Sequence, residues 1–318
     1  MNKRETAAGG AGTEKAPAYD RAHNGRLMRR ATYAAVSVAL TLIIGKAAAV
    51  YVTGSVAMLG TLFDSLLDGA AALLDLVAVR NALTPADEDH RFGHGKAEAL
   101  AGLGQSIFIL ASAGYIVFEA VTRVLNPAPV EHSMVGIAVT VAAILVTLAL
   151  VAFQRHVVAR TNSLAIAADS THYRGDLYMN LSVIAALVLS GYFGIHWADP
   201  LFGVLIAVLI GHSAVQIALG AWNQLMDREL SEDERERIKA IALSHPEVID
   251  LHDLRTRESG MHTFIQFHLE LDGAITLLKA HMISDDVERC IIEAFPGAEV
   301  LIHQDPVGVE DAAQFMRA

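Results

Sequence analysis

Apolar residues dominate the chain from about Leu27 to Met226, where they form six long stretches separated by short polar breaks. A helix needs about 20 residues to cross a hydrocarbon core of ~30 Å, and each stretch is at least that long. The pattern therefore predicts six transmembrane helices, at about residues 28–52, 56–82, 97–124, 134–158, 163–191 and 200–224.

The pattern changes after Asp227, where polar and apolar residues alternate as they do in a soluble domain. Ser231 followed three residues later by Glu234 is a capping box, which predicts the start of a helix. The elements predicted after it are two strands, a helix and a strand, at about 248–257, 262–271, 276–294 and 299–304. The order αββαβ predicts a small α+β domain whose helices cover one face of the sheet.

These patterns divide the chain into a disordered tail at 1–25, a six-helix transmembrane domain at 26–226, an α+β domain at 227–308 and a C-terminal tail at 309–318. Lys and Arg cluster before the first span and after the second and fourth spans, which favours a cytoplasmic position for those segments. We therefore expect both termini and the α+β domain in the cytoplasm. We expect no secretory signal, because the first residues lack its apolar region.

The composition of the chain limits which partners and which metal ligands it can have. Its formal net charge of -11 at pH 7 argues against nucleic acid as a partner, since nucleic-acid-binding proteins carry a basic surface. A single cysteine, Cys290, excludes a disulfide framework and a cysteine-based zinc module. The 14 histidines indicate that any bound metal is held by nitrogen and oxygen ligands.

Charged residues interrupt two of the predicted spans with the same spacing. Asp64 and Asp68 in the second span, and His172 and Asp176 in the fifth, are four residues apart and so share a helix face. Charges inside a membrane are costly, so such residues point to a functional site. Three carboxylates and an imidazole suit tetrahedral zinc or ferrous iron. The alternative is that these groups only form hydrogen bonds to neighbouring helices.

Two further groups of residues offer metal ligands outside the spans. Asp87, His90 and His94 follow the second span, and we give a metal site and a solvated polar loop equal weight there. In the α+β domain, alternation puts several histidines on the strand face opposite the apolar one. We predict a metal cluster there, from the strand candidates His252, His262, His268, His303 and Asp305, together with His281 on the second predicted helix of the domain.

Several motifs together resemble the cation diffusion facilitator family, and in particular its bacterial zinc and ferrous-iron efflux pumps. The motifs are DSLLD, PADEDHRFGHGKAE, THYRGD, HDLRTRESG and IHQDP, in that order, with Gly54-Ser55-Val56 before the first. The resemblance implies a homodimer of six-span protomers in the inner membrane, each with a metallochaperone-like cytoplasmic domain. It further implies exchange of cytoplasmic divalent metal for protons, with Zn²⁺ first and Fe²⁺ and Cd²⁺ as further substrates.

The resemblance also assigns roles to individual positions. It places the transport site at Asp64, Asp68, His172 and Asp176, and a loop site at Asp87, His90 and His94. It places a binuclear site of the cytoplasmic domain at His252, His268, His281, His303 and Asp305. It places a charge interlock between protomers at Lys96 and Asp227. Asp75, Arg174 and Glu119 depart from the family pattern, and an ion pair between Asp75 and Arg174 is one hypothesis for them.

Two other functions compete with transport. An intramembrane metalloenzyme is expected to pair its zinc ligands with a general base, as in H-E-x-x-H, and the sequence lacks that motif. Catalytic zinc also keeps an open position, whereas four ligands close the coordination shell. A membrane metal sensor would account for the histidines of the α+β domain but not for the ligands inside the spans.

Overall fold

The computed structural model describes residues 21–53, 56–125, 134–193 and 198–308. Most of the predicted N-terminal tail, all of the C-terminal tail, and Gly54-Ser55 before the DSLLD motif lie outside these residues. Six long helices form the first part of the chain: α1 (Arg21–Thr53), α2 (Val56–Ala82), α3 (Lys96–Leu125), α4 (Met134–Thr161), α5 (Leu164–Phe193) and α6 (Ala198–Leu225).

Four of these helices, α1, α3, α4 and α6, are both long and apolar enough to cross a membrane. The other two, α2 and α5, are 27 and 30 residues long and carry the charged pairs singled out above. At 1.5 Å per residue, each is roughly 40 Å long, which exceeds the hydrocarbon thickness. The chain is thus a multi-pass helical membrane protein, and α2 and α5, the two long helices interrupted by charged pairs, hold the candidate ligands.

Small residues line the contacts between the membrane helices. Ala35 and Ala39 of α1 and Ala72 of α2 belong to one buried cluster, and a Cβ on Gly203 of α6 would lie 3.7 Å from that of Ala120 on α3. Small side chains let helix backbones approach closely where lipid supplies no hydrophobic driving force.

The first helix begins earlier than predicted. The sequence puts residues 21–25 in a disordered tail, but α1 starts at Arg21. The reason is a contact that the local pattern does not show: the Gly25 backbone lies against the side chain of Leu83, which follows α2. Leu27 and Met28, one turn further along α1, are buried in the cluster against which Leu83 packs.

The second part of the chain has the predicted αββαβ order, in α7 (Glu232–Leu243), β1 (Asp250–Ser259), β2 (His262–Leu271), α8 (Leu277–Ala294) and β3 (Ala298–Pro306). The strand order is β1-β2-β3, with β1 and β2 antiparallel and β2 and β3 parallel. The capping box forms at the start of α7, where Ser231 N–H donates to Glu234 Oε2 at 3.0 Å and Glu234 N–H donates to Ser231 Oγ at 3.4 Å.

The core of this domain lies on one face of the sheet only. Ile265, Phe267, Leu269 and Leu271 of β2 are buried against apolar residues of α7 and α8. Since side chains alternate along a strand, His268 and Glu270 lie on the opposite face, which these helices leave uncovered.

The tip of the β1–β2 hairpin meets the segment between α2 and α3. Gly260 lies so close to Gly95 that a Cβ on it would be 3.1 Å from the Gly95 Cα atom. The guanidinium of Arg257 on β1 lies against two rings that contact each other, 4.8 Å from the centre of Phe92 and 4.6 Å from that of Phe264. This contact connects the α+β domain to the loop that carries Asp87, His90 and His94.

Candidate metal centres

Three of the four predicted transport ligands converge between α2 and α5. The Nε2 atom of His172 lies 2.8 Å from Oδ1 of Asp68 and 3.7 Å from Oδ2 of Asp176. One ligand atom from each of the three residues lies within 4.8 Å of the others, as a single metal ion requires. The spacing of four residues places His172 and Asp176 on one face of α5, so one helix supplies two ligands.

The fourth predicted ligand, Asp64, is not part of this compact group. It lies one turn before Asp68 on α2, and its side chain is exposed. Nearby, the ammonium of Lys46 on α1 donates to the Thr61 carbonyl at 3.1 Å and to Ser65 Oγ at 2.6 Å. This lysine was not among the predicted site residues, although a lone Lys inside an apolar stretch is a visible signal.

A buried polar cluster next to this group was also missed. Asp75 of α2, Gln105 of α3, Gln154 of α4 and Asp169 of α5 are each at most 4% exposed. Gln105 Nε2 donates to Asp75 Oδ2 at 2.9 Å and to Asp169 Oδ1 at 3.4 Å, and Gln154 Nε2 donates to Asp169 Oδ2 at 2.5 Å. Each of these polar residues inside an apolar helix could have been noticed in the sequence, but their spacing along the chain does not show that they meet.

The hypothesised ion pair between Asp75 and Arg174 is wrong for the described part of the chain. Asp75 meets Gln105, while the Arg174 guanidinium lies 5.9 Å from the ring centre of Tyr178. Each residue turns about 100° around a helix. Arg174 is two residues beyond His172 and therefore points to the other side of α5.

The loop after α2 brings Asp87, His90 and His94 together, with one ligand atom of each within 4.8 Å. Asp87 Oδ2 lies 3.3 Å from His94 Nε2, and Asp87 Oδ1 accepts the His90 backbone N–H at 2.7 Å. This backbone bond, helped by charge on the two imidazoles, holds the pKa of Asp87 below its usual value. The loop therefore presents an ionised carboxylate beside two imidazoles at neutral pH.

On the open face of the sheet, His252, His268 and Asp305 form a third group within 4.8 Å. Asp305 Oδ2 lies 2.7 Å from His268 Nδ1 and 3.4 Å from His252 Nε2. His303 joins from β3, with its Nε2 atom 3.1 Å from Asp305 Oδ1. Two to three imidazoles around one shared carboxylate can hold a zinc ion, and a second where the carboxylate bridges.

His281 lies apart from these sheet histidines. It is on α8, which packs against the opposite, apolar face of the sheet. Its ring is 65% exposed and lies 3.5 Å from Asp285 of the same helix. A ligand role for His281 at the sheet cluster of its own chain is therefore inconsistent with the fold.

The two residues of the predicted charge interlock, Lys96 and Asp227, meet within the chain. Lys96 Nζ at the start of α3 lies 2.9 Å from Oδ1 of Asp227, just after α6, and Arg257 of β1 lies 3.3 Å from the same oxygen. Burial alone would raise the pKa of Asp227, but these two cations outweigh it and leave that pKa below its usual value. Within the chain, the hairpin brings Arg257 and the loop brings Lys96 to Asp227 at the end of α6.

Comparison with known proteins assigns both parts of the chain to described domains. The cation efflux transmembrane domain matches residues 32–226, and the cytoplasmic domain of cation efflux proteins matches residues 230–307.

The chain is similar over most of its length to proteins called cation-efflux pump FieF. The protein of Shewanella oneidensis is 51% identical over 287 residues, which are 90% of this chain and 97% of that protein. The protein of Cronobacter sakazakii is 49% identical over 285 residues, which are 90% and 95% of the two chains.

Among solved structures, the zinc form of CzrB is 36% identical, with a TM-score of 0.26 over 27% of this chain and 98% of that one. The metal-bound C-terminal domain of the CzcD transporter from Thermotoga maritima is 26% identical, with a TM-score of 0.25 over 26% of this chain and 100% of that one.

Proposed function

Because this chain belongs to the cation diffusion facilitator family of cation efflux proteins, we propose that it exports zinc from the cytoplasm in exchange for protons. The observation that carries the proposal is the convergence of Asp68, His172 and Asp176 between two membrane helices. Buried ionisable groups are costly in a membrane and persist where they bind or carry an ion.

The ligand chemistry favours a transition metal over magnesium or calcium. An imidazole binds zinc and ferrous iron well, whereas magnesium and calcium take oxygen ligands. One imidazole and two carboxylates leave a fourth tetrahedral position, and Asp64 is the nearest further carboxylate on α2. We propose that Asp64 completes the site when a metal ion binds. Fe²⁺ and Cd²⁺ are further candidate substrates.

Proton exchange follows from the same ligands. A carboxylate and an imidazole must lose their protons to hold a metal ion, so metal and protons compete for these atoms. A site that faces the cytoplasm at neutral pH loads zinc, and the same site facing a more acidic exterior releases it. We therefore propose antiport, in an inner membrane, with both termini and the α+β domain in the cytoplasm.

A homodimer fits the placement of His281. Its exposed imidazole points away from the sheet cluster of its own chain. We propose that His281 instead reaches the cluster of a second copy, so that one binuclear site involves two protomers. Metal at this cluster would then stabilise the dimer rather than lie on the transport path.

The test is zinc flux through purified protein in sealed vesicles, compared with the variant Asp68→Ala. Asp68 supplies the shortest contact to His172, so we expect zinc transport to fall to the level of empty vesicles. Asp233→Ala is the matched control, because Asp233 is exposed on the first turn of α7, and it should transport as the unsubstituted protein does.

Catalysis or sensing alone would give no zinc flux in the unsubstituted protein, so a flat trace there would support the metalloenzyme or sensor instead. Normal flux in Asp68→Ala would show that the transport site lies elsewhere. The same vesicles, loaded with a pH-sensitive dye, test for opposing proton movement.

A further inference from the structure

The buried cluster of Asp75, Gln105, Gln154 and Asp169 has no role in the metal site described above. Its four side chains come from four different helices and are 1–4% exposed. Both carboxylates accept hydrogen bonds from amide N–H groups, and the amide of Gln105 donates to both. Enclosing ionisable groups in a membrane domain is energetically costly, so this cluster is expected to have a function.

The cluster has more acceptors than donors. Oδ1 of Asp75 and the Oε1 atoms of Gln105 and Gln154 are buried and make no hydrogen bond to any described residue. Leaving a buried polar atom unpaired is unfavourable, as is placing two ionised carboxylates on one neutral donor. A single added hydrogen on one carboxyl oxygen removes one negative charge and supplies one donor.

A metal ion fits this cluster less well than a proton. The amide nitrogens, not the amide oxygens, are directed at the carboxylates, and N–H groups repel a cation. No imidazole is among the four residues. The cluster is therefore arranged to stabilise carboxylates and to hold a hydrogen rather than to coordinate zinc.

The cluster lies beside the transport ligands on the same two helices. Asp169 precedes His172 by three residues of α5, and Asp75 follows Asp68 by seven residues of α2. At 1.5 Å per residue these separations are about 4.5 Å and 10 Å along the helix axes. Both acids lie toward the ends of α2 and α5 that face the loop after α2, which the proposed orientation places in the cytoplasm.

We infer that Asp75 and Asp169, held by Gln105 and Gln154, form a proton-binding site separate from the metal ligands, and that zinc binding expels its proton. This inference rests on the proposed antiport and names one source of its protons. The reason for the coupling is electrostatic: a divalent cation at the ligands, about one helical turn from Asp169 and about two from Asp75, stabilises both ionised carboxylates. The proton belongs to the pair rather than to either residue.

Other ionisable groups act on the pair from the helices packed around it. Asp68 of α2, Glu98 of α3, and His172 and Tyr173 of α5 interact with it electrostatically. To distinguish the pair from these neighbours, the experiments replace Asp75 or Asp169 with asparagine. Asparagine keeps the shape of the side chain and removes its charge.

The first experiment is infrared spectroscopy of the full-length, metal-free protein in lipid bilayers at pH 7. We expect a C=O stretching band of a buried carboxylic acid that shifts in D₂O and weakens when zinc is added. The band should be lost in Asp75→Asn and equally in Asp169→Asn, because a lone carboxylate keeps its amide donors and has no charged neighbour to share a proton with. Glu98→Gln is the control and should keep the band.

A band that is absent from the unsubstituted protein, or that persists in both asparagine variants, would overturn the proton site. A zinc ion that remains bound in Asp68→Ala but is lost on adding Asp75→Asn would also overturn it, by identifying a metal site. Two variants at different helices guard against misfolding of one of them.

The second experiment counts the protons released per zinc ion, by calorimetry in two buffers of different ionisation enthalpy. We expect Asp75→Asn to release fewer protons than the unsubstituted protein, by about one per site. An unchanged count would overturn the coupling. Neither experiment needs flux, so loss of zinc transport in the unsubstituted protein would contradict the proposed function alone.

Discussion

Asp305 shows how one side chain can organise a metal cluster. Its two oxygens lie 2.7 Å from His268, 3.4 Å from His252 and 3.1 Å from His303, so three imidazoles from three strands depend on one carboxylate. Removing an imidazole costs the cluster one ligand. Removing Asp305 costs it the shared ligand and the group that orients the rings.

We predict that Asp305→Ala binds at least one zinc ion fewer per protomer than the unsubstituted protein, and that zinc transport is lowered but not abolished. Metal analysis of the full-length protein after dialysis measures the first effect, and vesicle flux measures the second. Glu299→Ala, an exposed carboxylate of the same strand, is the control. Complete loss of flux with normal expression would place the cluster on the translocation path.

A second residue-scale prediction separates His281 from the other histidines. We expect the double variant His268→Ala, His303→Ala to bind less zinc at any protein concentration. His281→Ala should instead weaken zinc binding only where dimers form, because its imidazole faces away from the cluster of its own chain. Titration at several protein concentrations checks this. Equal loss in both variants in monomers would contradict the assignment of His281 to a second copy.

Spacing predicted which residues share a helix face but not which faces meet. His172, Asp176 and Asp68 were predicted because two spacings of four residues lie in otherwise apolar spans. The amides of Gln105 and Gln154 were not, because each is one residue on its own helix, and only packing of four helices brings them to Asp169. Asp64 shows that a shared helix face is not enough, since it shares a face with Asp68 but lies outside the compact group.

At the scale of elements, the contact between the β1–β2 hairpin and the loop after α2 depends on two glycines. A Cβ on Gly95 would lie 2.2 Å from the Ser259 carbonyl oxygen and 2.6 Å from its carbon, so the two backbones meet where only hydrogen fits. Gly260 has a φ of +60°, which suits the turn at the hairpin tip. The loop site and the α+β domain thus share one tight contact.

We predict that Gly95→Ala displaces the hairpin tip and loosens the attachment of the α+β domain. Hydrogen exchange should increase at residues 259–262 while the core strand β2 stays protected. The control is Gly104→Ala on α3, where an added Cβ meets nothing within 4 Å and helix propensity improves by up to ~1 kcal/mol. Exchange at the tip that is the same in Gly95→Ala and Gly104→Ala would show that the domain does not depend on this contact.

The elements were predicted where periodicity is strong. The six long helices and the αββαβ order follow from the pattern of apolar residues, the capping box follows from Ser231 and Glu234, and all three were confirmed as structure. Four of the six helices are apolar enough along their length to cross a membrane. The pattern did not show the irregularity of β1 after His252, where Asp253 has a φ of +50°. Positive φ is uncommon outside glycine, and although Asp adopts it more readily than most residues, the alternation of polar and apolar positions does not show where it occurs. His252 lies before the irregularity and pairs in register with His268, which pairs with His303.

On the scale of the whole molecule, three charges connect the membrane helices to the α+β domain. Asp227 accepts from Lys96 and Arg257, and its pKa lies below its usual value. A lowered folded-state pKa means that this contact stabilises the fold above the unfolded-state value near 4, and that the stabilisation is lost as pH falls through the folded-state value. Because Asp227 is partly exposed, its two contacts together contribute no more than ~1 kcal/mol.

We therefore predict that lowering the pH from 6 to below 4 weakens attachment of the α+β domain more in the unsubstituted protein than in Asp227→Asn, which lacks the titrating group. Hydrogen exchange of the segment after α6, or limited proteolysis there, measures the attachment. Glu236→Gln is the control, since Glu236 also has a lowered pKa, from its pairing with Lys239, but lies on α7. If acid weakens the attachment equally in Asp227→Asn and in the unsubstituted protein, groups other than Asp227 cause the effect.

The last prediction concerns how pH controls zinc binding at the transport site. His172 and the carboxylates around it must be deprotonated to hold zinc, and the reference pKa of an imidazole is near 6.5. We expect zinc affinity of the transport site to fall steeply between about pH 7.5 and 5.5, a range that brackets this reference value. The measurement uses a variant without the loop and cytoplasmic ligands, so that the observed binding belongs to the group of Asp68, His172 and Asp176. Zinc-loaded vesicles of the same variant should take up protons as zinc leaves. An affinity that does not change with pH, together with zinc flux that moves no protons, would instead describe a passive facilitator built on the same three ligands.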